Sequence, residues 1–332
     1  MRRAVGAAYA RAGLLGNPSD GYGGKVIAAS VRDFRAQVTV EAAERLEIVP
    51  GDTDLLVFDS FDGAADALSK RGCEDGLRLL RATLVEFADH CRESLDLAED
   101  DIRQRFRMSY ETNVPIQVGL SGSSAIVIAA LRALMSWFGV SIEPATLAGI
   151  ALAVEVDRLG LAGGPMDRVI QAYEGLMLMD LQEPRSEASY RRLDAALLPP
   201  LFVAWDPGGG DPSSGAHGDL RARWDAGDAE LQRIMQSFRP LVDEGVAALE
   251  AGDHTRFRTL MRRNFELRAS FFPISDADRE MVAIAEGCGA VAKLCGSGGA
   301  VVGSAEDPRH IEGISAAYRE SGFEWIRLQF SD

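Results

Sequence analysis

The segment that constrains this chain most runs from residue 115 to residue 125 and reads Pro-Ile-Gln-Val-Gly-Leu-Ser-Gly-Ser-Ser-Ala. Gly119 and Gly122 can adopt positive φ and let the backbone come close to a ligand. The serines among these residues can cap the apolar helix that is predicted to follow. Because N–H groups at a helix N-terminus attract anions, the segment predicts a phosphate-binding loop. The residues assigned to this loop are Pro115, Gly119, Leu120, Ser121, Gly122, Ser123, Ser124 and Ala125.

Common nucleotide-binding motifs do not name the ligand of this loop. It lacks the Gly-Lys-Ser/Thr ending of the P-loop and the Gly-x-Gly-x-x-Gly pattern of dinucleotide-binding folds. A glycine-rich turn that only caps a buried helix therefore stays open as an alternative. Other segments of the chain have to decide between the two.

A polar turn near the N-terminus offers groups for a hydroxyl-rich ligand. After a predicted strand, the chain reads Arg-Ala-Gly-Leu-Leu-Gly-Asn-Pro-Ser-Asp-Gly-Tyr from residue 11 to residue 22. Asn17, Asp20 and Tyr22 could hydrogen-bond to a polyol, and Arg11 could hold an anion. The alternative is ordinary turn chemistry, because Asn, Asp and Ser also bond to their own backbone.

Two carboxylates and an arginine follow the serine-rich loop. Glu155 lies in a predicted helix, and the turn Gly163-Gly164-Pro165 precedes Asp167 and Arg168. One carboxylate could hold Mg²⁺, which prefers oxygen ligands, and the other could accept a proton from an attacking hydroxyl. This set suits phosphoryl transfer. Taken alone, Glu155 followed by Asp157 and Arg158 favours a solvated helix face with surface ion pairs.

A second glycine loop lies near the C-terminus between two apolar strands. Its residues Gly296, Ser297, Gly298 and Gly299 could form a tight hairpin. The functional alternative is a second wall over the phosphates or the substrate, with backbone N–H groups as donors.

The composition argues against two classes of binding partner, nucleic acids and membranes. The chain has 50 acidic and 35 basic residues and a formal net charge of −15, which argues against a nucleic acid. The longest apolar stretch, 125–140, is interrupted by Arg132 and is shorter than the roughly 20 residues that span a bilayer. Four cysteines without a CxxC pair are typical of a reducing cytoplasm.

The order of predicted elements favours an α+β fold in two domains over a doubly wound sheet, since strands and helices interleave without regular alternation. Leu198-Pro199-Pro200 suggests the boundary, giving domains 1–195 and 196–332. Strands are predicted near 3–10, 36–40, 46–49, 54–58, 104–111, 175–181 and 201–205. Helices are predicted at about 73–95, 123–138, 144–159, 166–173, 229–250, 254–269 and 276–287. A strand, the second glycine loop, a strand, a helix and a strand complete the chain.

In their order and approximate spacing, these segments resemble the GHMP kinase superfamily, and the resemblance covers nearly the whole chain. Its enzymes carry an N-terminal substrate motif, a central Pro-xxx-Gly-Leu-Gly-Ser-Ser-Ala phosphate loop and a C-terminal glycine-rich motif. Within the superfamily the chain is similar to plant-type glucuronokinases. Those share Gly-Leu-Leu/Phe-Gly-Asn-Pro-Ser-Asp, Gly-Leu-Ser-Gly-Ser-Ser-Ala-Ile-Val and Gly-Ser-Gly-Gly-Ala-Val-Val with this sequence.

The resemblance implies a two-domain α+β kinase with its active site in the cleft between domains, and ATP and Mg²⁺ as cofactors. It implies that Ser124 and Glu155 ligate Mg²⁺, that Asp167 is the catalytic base and that Arg11 lies near the transferred phosphoryl group. Substrate binding is then expected from Asn17, Asp20, Tyr22, Arg168, Gly296, Ser297, Gly298 and Gly299.

Two departures from the superfamily pattern leave alternatives open. The central loop is one residue longer, so either Ser124 or its neighbour Ser123 could reach the metal. Arg168 stands where galactokinases have Gln, and it could favour a carboxylate-bearing substrate or pair with Glu174 on the same helix.

The implied reaction is transfer of a phosphoryl group to the anomeric hydroxyl of glucuronate. Rival acceptors are a neutral sugar, a heptose phosphate or a non-sugar alcohol, and a rival class is a sensor that binds without turnover. The expected protein is cytoplasmic, a monomer or homodimer, and binds neither nucleic acid nor membrane.

Overall fold

The computed structural model describes residues 2–50, 76–94, 104–161, 163–182, 187–209 and 214–330. The chain forms two compact units that interleave along the sequence. The first unit comprises Met1–Ala8, Arg35–Asn113 and Ser123–Gly163, and the second comprises Tyr9–Phe34, Val114–Gly122 and Gly164–Asp332.

Strands and helices alternate irregularly along the chain, as the α+β prediction requires, and that prediction is confirmed. The strands are β1 (Arg3–Leu15), β2 (Lys25–Ala42), β3 (Glu47–Ile48), β4 (Phe106–Thr112), β5 (Leu176–Asp180), β6 (Tyr190–Leu193), β7 (Leu201–Trp205), β8 (Ala290–Leu294), β9 (Ala300–Ala305) and β10 (Glu324–Arg327). The α-helices are α1 (Gly76–Ser94), α2 (Gly122–Phe138), α3 (Pro144–Ala153), α4 (Met166–Tyr173), α5 (Ser214–Asp225), α6 (Ala229–Gln236), α7 (Phe238–Glu250), α8 (His254–Ala269), α9 (Asp276–Gly287) and α10 (Ile311–Glu320). A short 3₁₀ helix covers Ser19–Tyr22, and a π-helical turn at Val154–Arg158 continues α3.

In the first unit, a sheet packs with α1 and α2. The C-terminal part of β2 pairs antiparallel with β4, and β3 pairs parallel with β4. Val38 and Val40 are buried while their neighbours in β2 are more exposed, so alternation puts one face of the strand inside. Aromatic rings close the core: the centroids of Phe87 and Phe138 are 5.7 Å apart and those of Phe106 and Trp137 are 5.8 Å apart.

In the second unit, a sheet of strand order β10-β7-β9-β8 carries α8 and α9. All its neighbouring strands are antiparallel. Two buried phenylalanines, Phe202 of β7 and Phe257 of α8, belong to the continuous hydrophobic core of this unit. The N-terminal part of β2 pairs with β5, and β5 pairs with β6.

Most predicted elements agree with the structure, but the prediction of one continuous helix at 229–250 is wrong. The segment forms two helices, α6 and α7, which break at Ser237. Pro240 explains the break, because it has no N–H to donate to the carbonyl of Gln236 and its ring clashes there. The strand β6 and the helix α5 were missed by the sequence pattern.

Some predictions fall outside the described residues. The strand near 54–58 and the first residues of the helix at 73–95 lie there. The division at residue 195 stays a prediction; the second compact unit has residues on both sides of that position, and the first unit ends at Gly163. Along the described part of the chain, none of the helices combines the length and hydrophobicity needed to cross a bilayer.

Gly6 tests the packing of β1 on α2 in the first unit. A Cβ at Gly6 would lie 2.2 Å from the carbonyl oxygen of Ala129 and 2.4 Å from the nitrogen of Ala133. Because backbone atoms cannot move aside, Gly6→Ala should lower the free energy of unfolding by about 1–3 kcal/mol. Gly149→Ala in α3 meets nothing within 4 Å and should raise it by about 0.5–1 kcal/mol. Urea titration checks both, and equal effects of the two changes would contradict the packing.

Candidate active site

The serine-rich loop reaches α2 through residues in the left-handed region. Gln117, Gly119 and Ser121 have φ of 56°, 70° and 69°. Gly119 uses the positive φ that glycine allows, whereas Gly122 starts α2 without it. Ser121 takes the left-handed conformation instead, at an energetic cost that surrounding contacts have to offset.

Two contacts hold Ser121 in this conformation. Its Oγ donates to Oδ2 of Asp167 at 2.7 Å, and its carbonyl oxygen accepts from Nε2 of Gln171 at 2.9 Å. Both partners lie on α4, so the end of the loop is tied to the first two turns of that helix. Ser121 is therefore placed by tertiary hydrogen bonds rather than by local preference.

In the first unit, two serines from the start of α2 bind one carboxylate. Ser123 Oγ donates to Oε1 of Glu155, and Ser124 Oγ donates to Oε2, each at 2.7 Å. Ser124 and Glu155 are each only 1% exposed. Glu155 lies in the π-helical turn, a distortion that occurs often at functional sites. The interpretation of Glu155 as a solvated surface side chain is wrong.

The donor set of this serine–glutamate cluster fits Mg²⁺. Among the described residues, no group of three or more His, Cys, Asp or Glu side chains is arranged to hold a metal on its own. Mg²⁺ commonly takes one or two carboxylates and completes its shell with waters and substrate phosphates. One carboxylate and a hydroxyl, Glu155 and Ser124, are the oxygen ligands that such a site requires from the protein.

In the second unit, Asp167 is held by a buried arginine. Arg11 Nε donates to Oδ1 of Asp167 at 2.6 Å, and Arg11 Nη1 donates to the carbonyl oxygen of Gly119 at 2.6 Å. Arg11 is 4% exposed. Burial by itself would raise the pKa of Asp167, but the charges of Arg11 and Arg168 hold that pKa below its ordinary value. Asp167 is therefore ionised at neutral pH.

Asp20 is a second carboxylate near Asp167. Burial, with repulsion from Asp167, raises the pKa of Asp20 to about 6, although Arg11 and Arg168 oppose the shift. A Cβ at Gly164 would lie 2.0 Å from Oδ2 of Asp20 and 2.8 Å from the backbone nitrogen of Gly21, so the close packing of this turn favours glycine. Two carboxylates with pKa values shifted in opposite directions, Asp20 and Asp167, therefore lie near each other.

Arg168 is buried and donates from Nη1 to the carbonyl oxygen of Gly164 at 2.7 Å. Its charge acts on both Asp20 and Asp167. Its pairing with Glu174 stays a prediction. Tyr22 is half-buried and packs on Trp224 of α5, with ring centroids 5.0 Å apart.

Asn17 is buried, and its amide binds protein groups. Oδ1 accepts from Nζ of Lys293 at 2.6 Å, and Nδ2 donates to the carbonyl oxygen of Leu294 at 3.2 Å. Lys293 also donates to the carbonyl oxygens of Gly13 and Leu294, at 2.7 and 2.9 Å. Burial lowers the pKa of Lys293 to about 7. Contact of Asn17 with a substrate stays a prediction.

Sequence analysis did not identify the side chains that hold the second glycine loop, Arg268 and Asp278. Arg268 donates to the carbonyl oxygens of Gly296 and Ser297, and Asp278 accepts from the N–H of Gly299. A usable signal existed, because Arg268 lies on the same face of α8 as the apolar residues Phe257 and Leu260. A charged residue on a buried face calls for a specific partner.

Comparison with known proteins agrees with the sequence resemblance. The model of the GHMP kinases N terminal domain matches residues 82–175, and that of the GHMP kinases C terminal domain matches residues 246–323. The chain is 37% identical to glucuronokinase 1 of Arabidopsis thaliana over 95% of this chain and 89% of that protein. It is 38% identical to probable glucuronokinase 2 of the same plant, over 95% of this chain and 88% of the relative.

Solved structures show the same fold. Lactococcus lactis galactokinase superposes with a TM-score of 0.75 at 15% identity, covering 99% of this chain and 94% of that one. The matched domains, the near-full-length relatives and the shared fold lead to one conclusion: the chain belongs to the GHMP kinase family.

Proposed function

We propose that this protein is a glucuronokinase, which transfers the γ-phosphoryl group of ATP to the anomeric hydroxyl of glucuronate and releases glucuronate 1-phosphate. The observation that carries the proposal is 37–38% identity to two plant glucuronokinases over 95% of the chain. Because the similarity extends over both domains, we extend the proposal to the sugar acceptor as well as to the phosphoryl donor. Membership of a kinase family implies ATP as the donor.

Asp167 is proposed to orient the acceptor hydroxyl and to take its proton. Arg11 and Ser121 fix both carboxylate oxygens of Asp167, so its position is set before the substrate binds. A carboxylate with a lowered pKa is a weak base. A weak base suffices here, because in a loose phosphoryl-transfer transition state the acceptor needs little activation beforehand.

Arg11 is proposed to stabilise negative charge that moves with the phosphoryl group. It is preorganised, since Asp167 and the carbonyl oxygen of Gly119 hold two of its nitrogens. A fixed guanidinium in a water-poor site loses little energy to reorganisation during the reaction.

Ser124 and Glu155 are proposed to bind Mg²⁺, which when present would neutralise charge on the nucleotide phosphates. Their mutual hydrogen bond keeps both oxygen ligands in place. The loop N–H groups are proposed to hold the phosphates.

The acceptor is proposed to bind at Asp20, Tyr22, Arg168 and the second glycine loop. Carboxylates such as Asp20 accept hydrogen bonds from sugar hydroxyls, and the buried charge of Arg168 suits an acid group on the sugar. We propose that the reaction takes place in the cytoplasm, which free thiols such as those of Cys91, Cys288 and Cys295 would suit. Whether the protein is a monomer or a homodimer stays a prediction.

The substrate screen that tests the proposal measures ADP release with glucuronate, galacturonate, galactose and mannose. We expect kcat/KM for glucuronate to exceed that for each neutral sugar by about 100-fold or more, because a neutral sugar lacks the carboxylate that would accept a charge-assisted hydrogen bond from the enzyme. A neutral sugar as the preferred acceptor would contradict the assignment. Nucleotide binding without ADP release from any acceptor would favour the sensor.

Asp167→Asn tests the acceptor-orienting carboxylate. The amide keeps the size of the side chain and can still accept from Arg11, but it cannot take a proton. We expect kcat to fall by about 1,000-fold with little change in the Kd for ATP. Asp157→Asn, at an exposed position, is the control and should leave kcat unchanged. Unchanged turnover in Asp167→Asn would remove this residue from the mechanism.

The two serines that bind Glu155 give a matched pair for the metal site. Ser124→Ala should raise the Mg²⁺ concentration needed for half-maximal activity by about tenfold, because one metal ligand is lost. Ser123→Ala removes an exposed serine with the same partner and should have a smaller effect. The activity is measured over a Mg²⁺ titration at saturating ATP. A larger effect of Ser123→Ala would assign the ligand to that residue.

A further inference from the structure

Arg268 holds two consecutive carbonyl groups of the second glycine loop. Its Nη1 donates to the carbonyl oxygen of Gly296 at 2.5 Å, and its Nη2 donates to that of Ser297 at 2.7 Å. Asp278 holds the far end of the loop, where Oδ1 accepts from the N–H of Gly299 at 2.8 Å. Side chains from α8 and α9 thus determine the orientation of each peptide group in the loop.

Because peptide groups are planar, these contacts also determine where the N–H groups of the loop point. In a trans peptide the C=O of one residue and the N–H of the next point in opposite directions. Because the carbonyls of Gly296 and Ser297 point at Arg268, the N–H groups of Ser297 and Gly298 point away from it. Within the part of the chain that the structure describes, neither N–H donates a hydrogen bond to a protein group.

These two N–H groups lie against Gly119 of the serine-rich loop. A Cβ at Gly119 would come within 3.2 Å of the Ser297 nitrogen and 3.1 Å of the Gly298 nitrogen. Arg11 contacts the same glycine, since its Nη1 donates to the carbonyl oxygen of Gly119 at 2.6 Å. Two backbone donors next to a guanidinium are a site for an anionic oxygen.

Holding the loop with Arg268 requires burying a charged side chain, which is energetically costly. It is 3% exposed, its Nε is buried without a hydrogen-bond partner, and burial lowers its pKa to about 10. Its guanidinium lies over the ring of Phe272, 5.5 Å from the centroid. A planar fork is nevertheless the group that can bind two neighbouring carbonyls at once, which an ammonium does less well. The geometry of the loop depends on that fork.

We propose that Arg268 is a positioning residue for phosphoryl transfer: by fixing the carbonyls of Gly296 and Ser297, it aims the N–H groups of Ser297 and Gly298 at an oxygen of the transferred phosphoryl group. The inference rests on the proposed kinase function. Arg11, which binds the carbonyl oxygen of the same Gly119, is paired with Asp167, the group proposed to orient the acceptor. An anion at this place is therefore next to the reacting hydroxyl.

The experiment compares three variants of the full chain with wild type, using glucuronate and Mg-ATP. Arg268→Met removes all donors at similar length, Arg268→Lys keeps a charge and some donors, and Arg263→Met is the control at an exposed position of the same helix. We expect Arg268→Met to lower kcat by about 100-fold, the typical cost of a lost oxyanion donor, with KM for glucuronate and for ATP changed by less than about threefold. Arg268→Lys should recover part of kcat, and Arg263→Met should match wild type.

Two outcomes would overturn the proposal. A folded Arg268→Met with wild-type kcat would show that the loop does not need Arg268 to position its N–H groups. A rise in KM for glucuronate at unchanged kcat would instead assign the two N–H groups to the carboxylate of the acceptor. Thermal unfolding is recorded for each variant, and if Arg268→Met does not fold, the kcat and KM of Arg268→Lys decide in the same way. Wild type is assayed first with all acceptors of the screen. If it prefers another acceptor, the proposed substrate fails while the variants still test Arg268 with that acceptor.

Discussion

The ion pair between Arg11 and Asp167 is the interaction on which the candidate site depends. It joins residues 156 positions apart, one on β1 and one in the first turn of α4, at 2.6 Å. Either charge alone would be costly to bury here. Separating β1 from α4 would leave a buried charge without its partner and would therefore destabilise the fold. The same arginine binds the carbonyl of Gly119, which connects the serine-rich loop to the pair.

Near this pair, several buried polar side chains of the second unit bind one another and the backbone. Lys293 binds three oxygens, Asn17 binds Lys293 and a strand carbonyl, and Asn264 binds the backbone of both Gly16 and Asn17. Such networks hold their members in one arrangement, because any member left without its partner is penalised in a water-poor interior. A rigid scaffold of this kind suits phosphoryl transfer, where the protein mainly positions groups and balances charge.

The sequence predicted regular elements best where the amphipathic or buried pattern was complete. The helices at 166–173, 254–269 and 276–287 and the strand at 201–205 agree with the structure, because each has a complete amphipathic or buried pattern. It failed at 229–250, where the effect of Pro240 outweighed a continuous apolar stripe. It also missed β6, whose exposed Arg191 and Arg192 hide its pairing with β5.

By itself, the sequence determined the fold class, through the irregular order of its strands and helices, and the family, through the resemblance of its three motifs in their order along the chain. Only the tertiary structure decided which atoms meet. It placed the left-handed turn at Ser121 rather than Gly122, since hydrogen bonds from α4 offset the strain there. It also bound the amide of Asn17 to Lys293 and assigned Arg268 to the second glycine loop. The energy of a buried polar group depends on partners that are distant in the chain, and local sequence carries no record of them.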